Sequence, residues 1–174
     1  MDLMSLLSST WKVIAGVALL ISLLVSVAFA VMSATARRPK TLGVSDGRLA
    51  PCPDSPNCVS TRADREQQRM DSISLTVDAG DAMAALKRVV SAMSRAEVIT
   101  ADDNYLHAEF TSALFRFVDD VELFVNREER VIHFRSASRS GRSDFGVNRK
   151  RMQVVVAAFQ REIANYERWP KTER

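Results

Sequence analysis

The chain has 174 residues, 47% of them hydrophobic and 26% charged, which leaves room for one domain of ordinary size plus an appendage. Its formal net charge of +3 hides an asymmetry: residues 37–134 carry 13 Lys/Arg against 16 Asp/Glu, whereas residues 135–174 carry 10 against 4. The basic C-terminal quarter implies an acidic partner, which the rest of the same domain can supply; nucleic acid is not expected in that role, because no aromatic residue beyond Phe145 interleaves with the charges.

The appendage comes first. Residues 13–32, VIAGVALLISLLVSVAFAVM, hold no charge and only two serines, and about 20 such residues at 1.5 Å rise cross a bilayer core of roughly 30 Å. Residues 1–36 therefore read as a membrane anchor or a secretory signal. Ala28-Phe29-Ala30 and Ala34-Thr35-Ala36 are candidate cleavage triplets, but the apolar run is longer than a signal h-region, and an uncleaved anchor is favoured. Lys12 before the helix against Arg37, Arg38 and Lys40 after it leans narrowly towards a cytoplasmic domain. The only two cysteines, Cys52 and Cys58, lie in a short loop with Pro53 and Pro56, as a disulfide formed in an oxidising compartment would. The expectation is a soluble domain on the periplasmic or extracytoplasmic side.

Residues 37–51 show no apolar period and read as a tether. Then comes the loop CPDSPNCVS, which opens a domain spanning 52–168, with 169–174 as a tail. Ile73, Leu75 and Val77 alternate with polar residues in a half-buried strand. Asp78 is placed to cap a helix whose apolar stripe is Met83, Leu86, Val90 and Met93. Residues 96–100 and 105–111 read as strands, and 115–126 and 131–138 as a hairpin around the four residues 127–130. That loop sets Val125 against Ile132, Leu123 against Phe134 and Val121 against Ser136, so the apolar residues share a face. The last helix, from about residue 145 to 168, carries the stripe Met152, Val156, Phe159, Ile163 and Tyr166, with Asp144 as its cap. The fold class predicted is α+β: an antiparallel sheet of about five strands, two amphipathic helices packed on one face, and one N-terminal transmembrane or signal helix ahead of them.

The stretch RSASRSGRSDFGVNRKR packs six basic residues into positions 135–151. In the chosen register Glu122 faces Arg135, an ion pair on the open face of the sheet. Arg142, Arg149, Lys150 and Arg151 fall around the first turns of the last helix, where the dipole disfavours cations. Serines and free N–H groups leading into that helix suit a phosphate, sulfate or carboxylate, which makes Arg135, Ser138, Arg139, Arg142, Ser143, Asn148 and Arg149 the candidate ligand-binding residues. The competing reading is a structural network with Asp119, Asp120 and Glu122. Asp119 points inward beside Ser138, either satisfied there or poised as an acid, while Asp120 projects outward with Glu122 towards solvent. These two aspartates are the catalytic candidates. A metal site of Cys52, Cys58, His107 and His133 lacks ligand spacing, so no metal and no cofactor is expected. His133 reads as a surface strand residue.

CPDSPNCVS, FVDDVE (117–122) and the basic stretch together resemble signatures of the DUF1499 family, over roughly residues 48–163. The resemblance implies that Cys loop, aspartate strand and basic turn form one unit; it implies no activity. Ser140 and Arg142 stand where more apolar or aromatic residues are expected in that family. Three functional readings follow: a membrane-tethered module holding an anionic lipid, an envelope polymer or a partner protein through the Arg/Ser-rich turn; a hydrolase using Asp119 or Asp120 with the arginines as an anion clamp; and a structural envelope protein whose charges form an internal network.

Overall fold

A computed structural model describes residues 3–168. Helix α1 (Leu3–Thr35) contains a 26-residue segment, Thr10–Thr35, long and apolar enough to cross a membrane or to serve as a signal. Beyond it the order is β1 (Val44–Ser45), β2 (Arg48–Leu49), β3 (Cys58–Ser60), a 3-10 turn (Glu66–Gln68), β4 (Ile73–Ser74), α2 (Ala79–Ser91), β5 (Ala96–Ala101), β6 (Tyr105–Thr111), β7 (Val118–Asn126), β8 (Val131–Ser138) and α3 (Val147–Arg168). The main sheet has six antiparallel strands in the path β3-β8-β7-β6-β5, with β4 also on β8. The strand beyond the five expected arises because β3 and β4 share one edge of β8, pairing with its C-terminal and N-terminal halves respectively.

The β7–β8 hairpin has the predicted register, Val125 to Ile132, Leu123 to Phe134, Val121 to Ser136 and Glu122 to Arg135. Asn126 sets the turn by accepting the N–H groups of Glu128 and Glu129 on its side-chain oxygen, and Arg130 closes it with a φ of 53°. The register gathers the apolar residues of β6, β7 and β8 under both helices. Leu86 and Val90 of α2 and Met152, Val155 and Phe159 of α3 pack there against Leu106, Val121, Leu123, Ile132 and Phe134. Fully burying each large side chain contributes about 1.5–3 kcal/mol, and this face supplies most of the driving force.

At the helices, one start and one cap differ from the sequence reading. The last helix starts at Val147, because Phe145 and Gly146 have φ of 53° and 78° and cannot lie in a right-handed helix. Asp78 occupies the cap position of α2 but makes no side-chain capping bond.

The larger difference is the tether. Residues 44–49 form a hairpin around Asp46-Gly47, both at positive φ, the pairing that a two-residue type I′ loop requires. Its approach lies over the second face of the sheet, where the backbone N–H of Gly43 donates to Glu122 Oε1 at 2.8 Å. The face read as open is thus covered: Asp120 is 1% and Glu122 0% exposed, and His107, His133 and Arg135 are buried beside them.

Candidate functional site

Three polar clusters follow from this arrangement. The first lies on the covered second face, where β6, β7 and the residue after β8 bring His107, Glu109, Asp120 and Arg139 together. The Arg139 guanidinium donates to both oxygens of Asp120, at 2.8 and 2.6 Å, and to Glu109 at 2.5 Å. His107 Nε2 lies 2.8 Å from Asp120 Oδ1, and Arg38, at the start of the strap that residues 38–51 lay over this face, reaches Glu109 from outside. Burial raises the Asp120 carboxyl pKa, but the bonds from Arg139 and His107 outweigh it and hold the group below the usual carboxylate range. Glu109 follows the same balance, burial opposing Arg139 and Arg38, and is also lowered. The Asp120 bond in turn pushes Arg139 above its ordinary value. One donor atom each of His107, Glu109 and Asp120 lie within 4.8 Å of one another, a spacing open to a cation. Arg139 supplies that positive charge.

Next to it, Arg135 donates to Glu122 Oε2 at 3.2 Å and Tyr105 donates its hydroxyl to Glu122 Oε1 at 2.9 Å. The pair joins the strands as expected, but in the interior rather than in water. Burial, then the Glu122 charge, drive the Tyr105 phenol strongly upward. Arg135 Nε is buried without a hydrogen-bond partner.

The second cluster is at the α3 end of the core face. Asp119 sits opposite Ser138 as expected, and Arg151 neutralises it at 2.5 Å while lying 4.8 Å over the Phe110 ring. Asn148, 0% exposed, donates to Asn57 O and Ser138 Oγ, both at 3.0 Å, and accepts from Ser136 Oγ at 2.5 Å and from Arg151 at 2.6 Å. Asn57 also donates to Gly141 O at 2.7 Å. The Cys52–Cys58 disulfide closes the loop carrying Asn57, so the Cys loop, the aspartate strand and the basic turn meet at Asn57 and Asn148. Sequence reasoning placed Asn148 but missed Asn57; its one signal was the position just before Cys58.

The third cluster surrounds His133, whose Nδ1 is 3.0 Å from Thr61 Oγ1 and whose Nε2 meets Arg62 and Glu129. It borders a cleft of about 270 Å³ beneath the strap, lined also by Arg48, Pro51 and Asp64. This correction has the same cause as that of Asp120: the strap and residues 60–62 cover a histidine that would otherwise face water.

Of the seven candidate ligand-binding residues, Arg135, Ser138, Arg139 and Asn148 are committed to these internal bonds. Arg149 donates to the carbonyls of Gln67 and Arg69, and Ser143 accepts from the Phe145 N–H. Asp144 caps α3 itself, accepting the N–H groups of Gly146 and Asn148 at 3.0 and 2.8 Å, which fills the helix end proposed for an anion. Arg142 is exposed. Both cysteines are oxidised, so neither is a metal ligand or a nucleophile.

No curated protein and no solved structure matches the chain. The sequence profile of one family, described as a protein of unknown function, DUF1499, matches residues 48–159, which contain all three clusters apart from Arg38. On that match the chain is a member of the DUF1499 family.

Proposed function

We propose that the protein is a membrane-anchored extracytoplasmic module without catalytic machinery, in which the charged signature is an internal framework locking strap, sheet and Cys loop into one rigid unit. The observation that carries this reading is the saturation of Arg139, whose guanidinium is shared between Asp120 and Glu109. A general acid working at neutral pH needs a raised pKa and a route to substrate. Asp120 has a lowered one and is closed off by Arg139 and His107. Asp119 is closed off by Arg151 and the Phe110 ring. The disulfide and α1 support an oxidising compartment and an anchor.

Binding of an anionic group remains in narrower form, at exposed Arg142 on the outer side of the turn. A thermal-shift comparison of the full chain with phosphate and sulfate, in wild type and Arg139→Ala, separates the readings. The framework reading expects the variant to melt far lower and neither anion to raise the wild-type midpoint. An anion that stabilises wild type but not the variant would instead make the turn a ligand site.

A further inference from the structure

We infer that the end of the sheet carrying residues 112–117 and 139–147 lies on the bilayer, with Leu114 and Phe145 inserted among lipids and Arg116, Arg142 and Lys150 facing anionic headgroups. This rests on the reading of α1 as a retained anchor. The depth follows from α1. Its uncharged run 13–32 matches the roughly 30 Å bilayer core, so Met32 marks the edge of that core and Phe29 lies about 4.5 Å inside it. The Phe29 ring packs edge-on against Phe115 and Phe117, at centroid distances of 4.9 and 6.0 Å. Ser140 Oγ donates to Met32 O at 3.4 Å, and Arg139 N donates to Val118 O at 3.1 Å, tying the second loop to the first. Both loops are therefore held at the level where acyl chains meet headgroups.

What they present there suits that level. Leu114 is 78% and Phe145 91% exposed, and Val147 beside Phe145 is 46% exposed. Such side chains gain by entering the acyl boundary. Arg116, Arg142 and Lys150 are exposed around them. Among the acidic groups at this end Asp119 is paired with Arg151, Asp144 caps α3 and Asp54 meets Arg65, which leaves Glu97 of β5 as an exposed carboxylate against the three cations. Arg116 and Phe145 are both held at positive φ, 59° and 53°, a conformation that disfavours bulky residues, and both are exposed. Each cation held near an anionic surface multiplies association about fivefold.

The test is lipid quenching in the full chain. Trp11→Phe and Trp169→Phe remove the native indoles, Phe145→Trp or Leu114→Trp adds one at the surface, and the chain is reconstituted in vesicles of two parts phosphatidylcholine to one part phosphatidylglycerol. Shallow-brominated lipid should cut the emission about twofold, and Arg116→Gln with Arg142→Gln and Lys150→Gln should weaken that quenching without abolishing it, because α1 still holds both loops at this depth, while the unfolding midpoint stays put. Emission indifferent to brominated lipid, or quenching untouched by the charge change, overturns the proposal. Intact mass of the membrane-extracted chain reports separately on the anchor: loss of residues 1–36 sinks that reading alone, and the shortened chain added to the same vesicles still decides whether the surface binds.

Discussion

Removing the Arg139 side chain is the sharpest test of the framework. Arg139→Ala deletes three charge-assisted bonds, two to Asp120 and one to Glu109, at 2.8, 2.6 and 2.5 Å. It leaves Asp120, 1% exposed, with its negative charge buried and only His107 against it. Breaking a buried pair from one side costs about 3–5 kcal/mol, a third or more of the stability of an ordinary domain. The pH dependence has a definite sign. In wild type the folded Asp120 pKa lies below the unfolded value, so its contribution is complete above about pH 4 and is lost only as pH falls through the lower folded value. In the variant, burial acts without the guanidinium and the folded pKa rises above the unfolded one. Ionised Asp120 then destabilises the fold at pH 8, and protonation relieves it as pH falls towards 5, by about 1.4 kcal/mol for each unit of upward shift. Urea denaturation of the full chain in mild detergent, followed by far-UV circular dichroism at pH 8 and pH 5, reads both effects. A loss below about 1 kcal/mol, or an equal loss at the two pH values, would refute the buried-network argument.

Asn148→Ala strands four partners on β8, α3 and the Cys loop and should lower stability by about 2–3 kcal/mol in the same assay; a change within experimental error would show that Asn57 alone holds the loop. Reducing the Cys52–Cys58 bond opens a loop with a sequence separation of 6 and should cost about 2 kcal/mol, read as the drop in unfolding midpoint with reductant, alongside titration of two thiols. Tyr105 should stay protonated in the folded chain: up to about pH 11, wild type and Tyr105→Phe should show the same absorbance rise at 295 nm. Because its folded pKa is raised, the stability that protonated Tyr105 represents is complete below the unfolded value near 10 and lost as pH rises beyond it, so the tyrosinate signal should appear together with unfolding.

The helices and the β6–β8 meander were legible because each has one apolar face. Leu123 and Val125 can meet Phe134 and Ile132 only in the register that the four-residue turn allows, and a slip by one would have put His133 against Leu123. β3 was not legible, because three residues are too few for alternation to show and its pairing with β8 is set by long-range contacts; β4 was expected as a longer strand through Leu75 and Val77, of which only Ile73–Ser74 pairs with β8. What holds for β3 holds for β1 and β2 in the strap.

Misreading the strap is what misplaced the site. Alternation assigned Asp120, Glu122 and His133 correctly to one face, but polarity was taken to mean that water lay above it. Residues 38–51 lie there instead, and they contain few apolar side chains because the surface beneath them is polar: the Gly43 N–H meets Glu122, and Arg38 meets Glu109. A strand whose outward residues are Asp, Glu, His and Arg in near balance can be a solvated surface or a sealed network, and periodicity alone does not separate the two. The discriminating sign was the charge inventory across the pairing already derived. Asp119 and Asp120 on β7 met a C-terminal segment richer in arginine than its own carboxylates could neutralise. Arg135, Arg139 and Arg151 turn out to be the cations that make three buried acids tolerable, Glu122, Asp120 and Asp119 in that order. What is left over, Arg142 and Lys150 on the outer rim, is the part of the basic stretch with charge to offer another molecule.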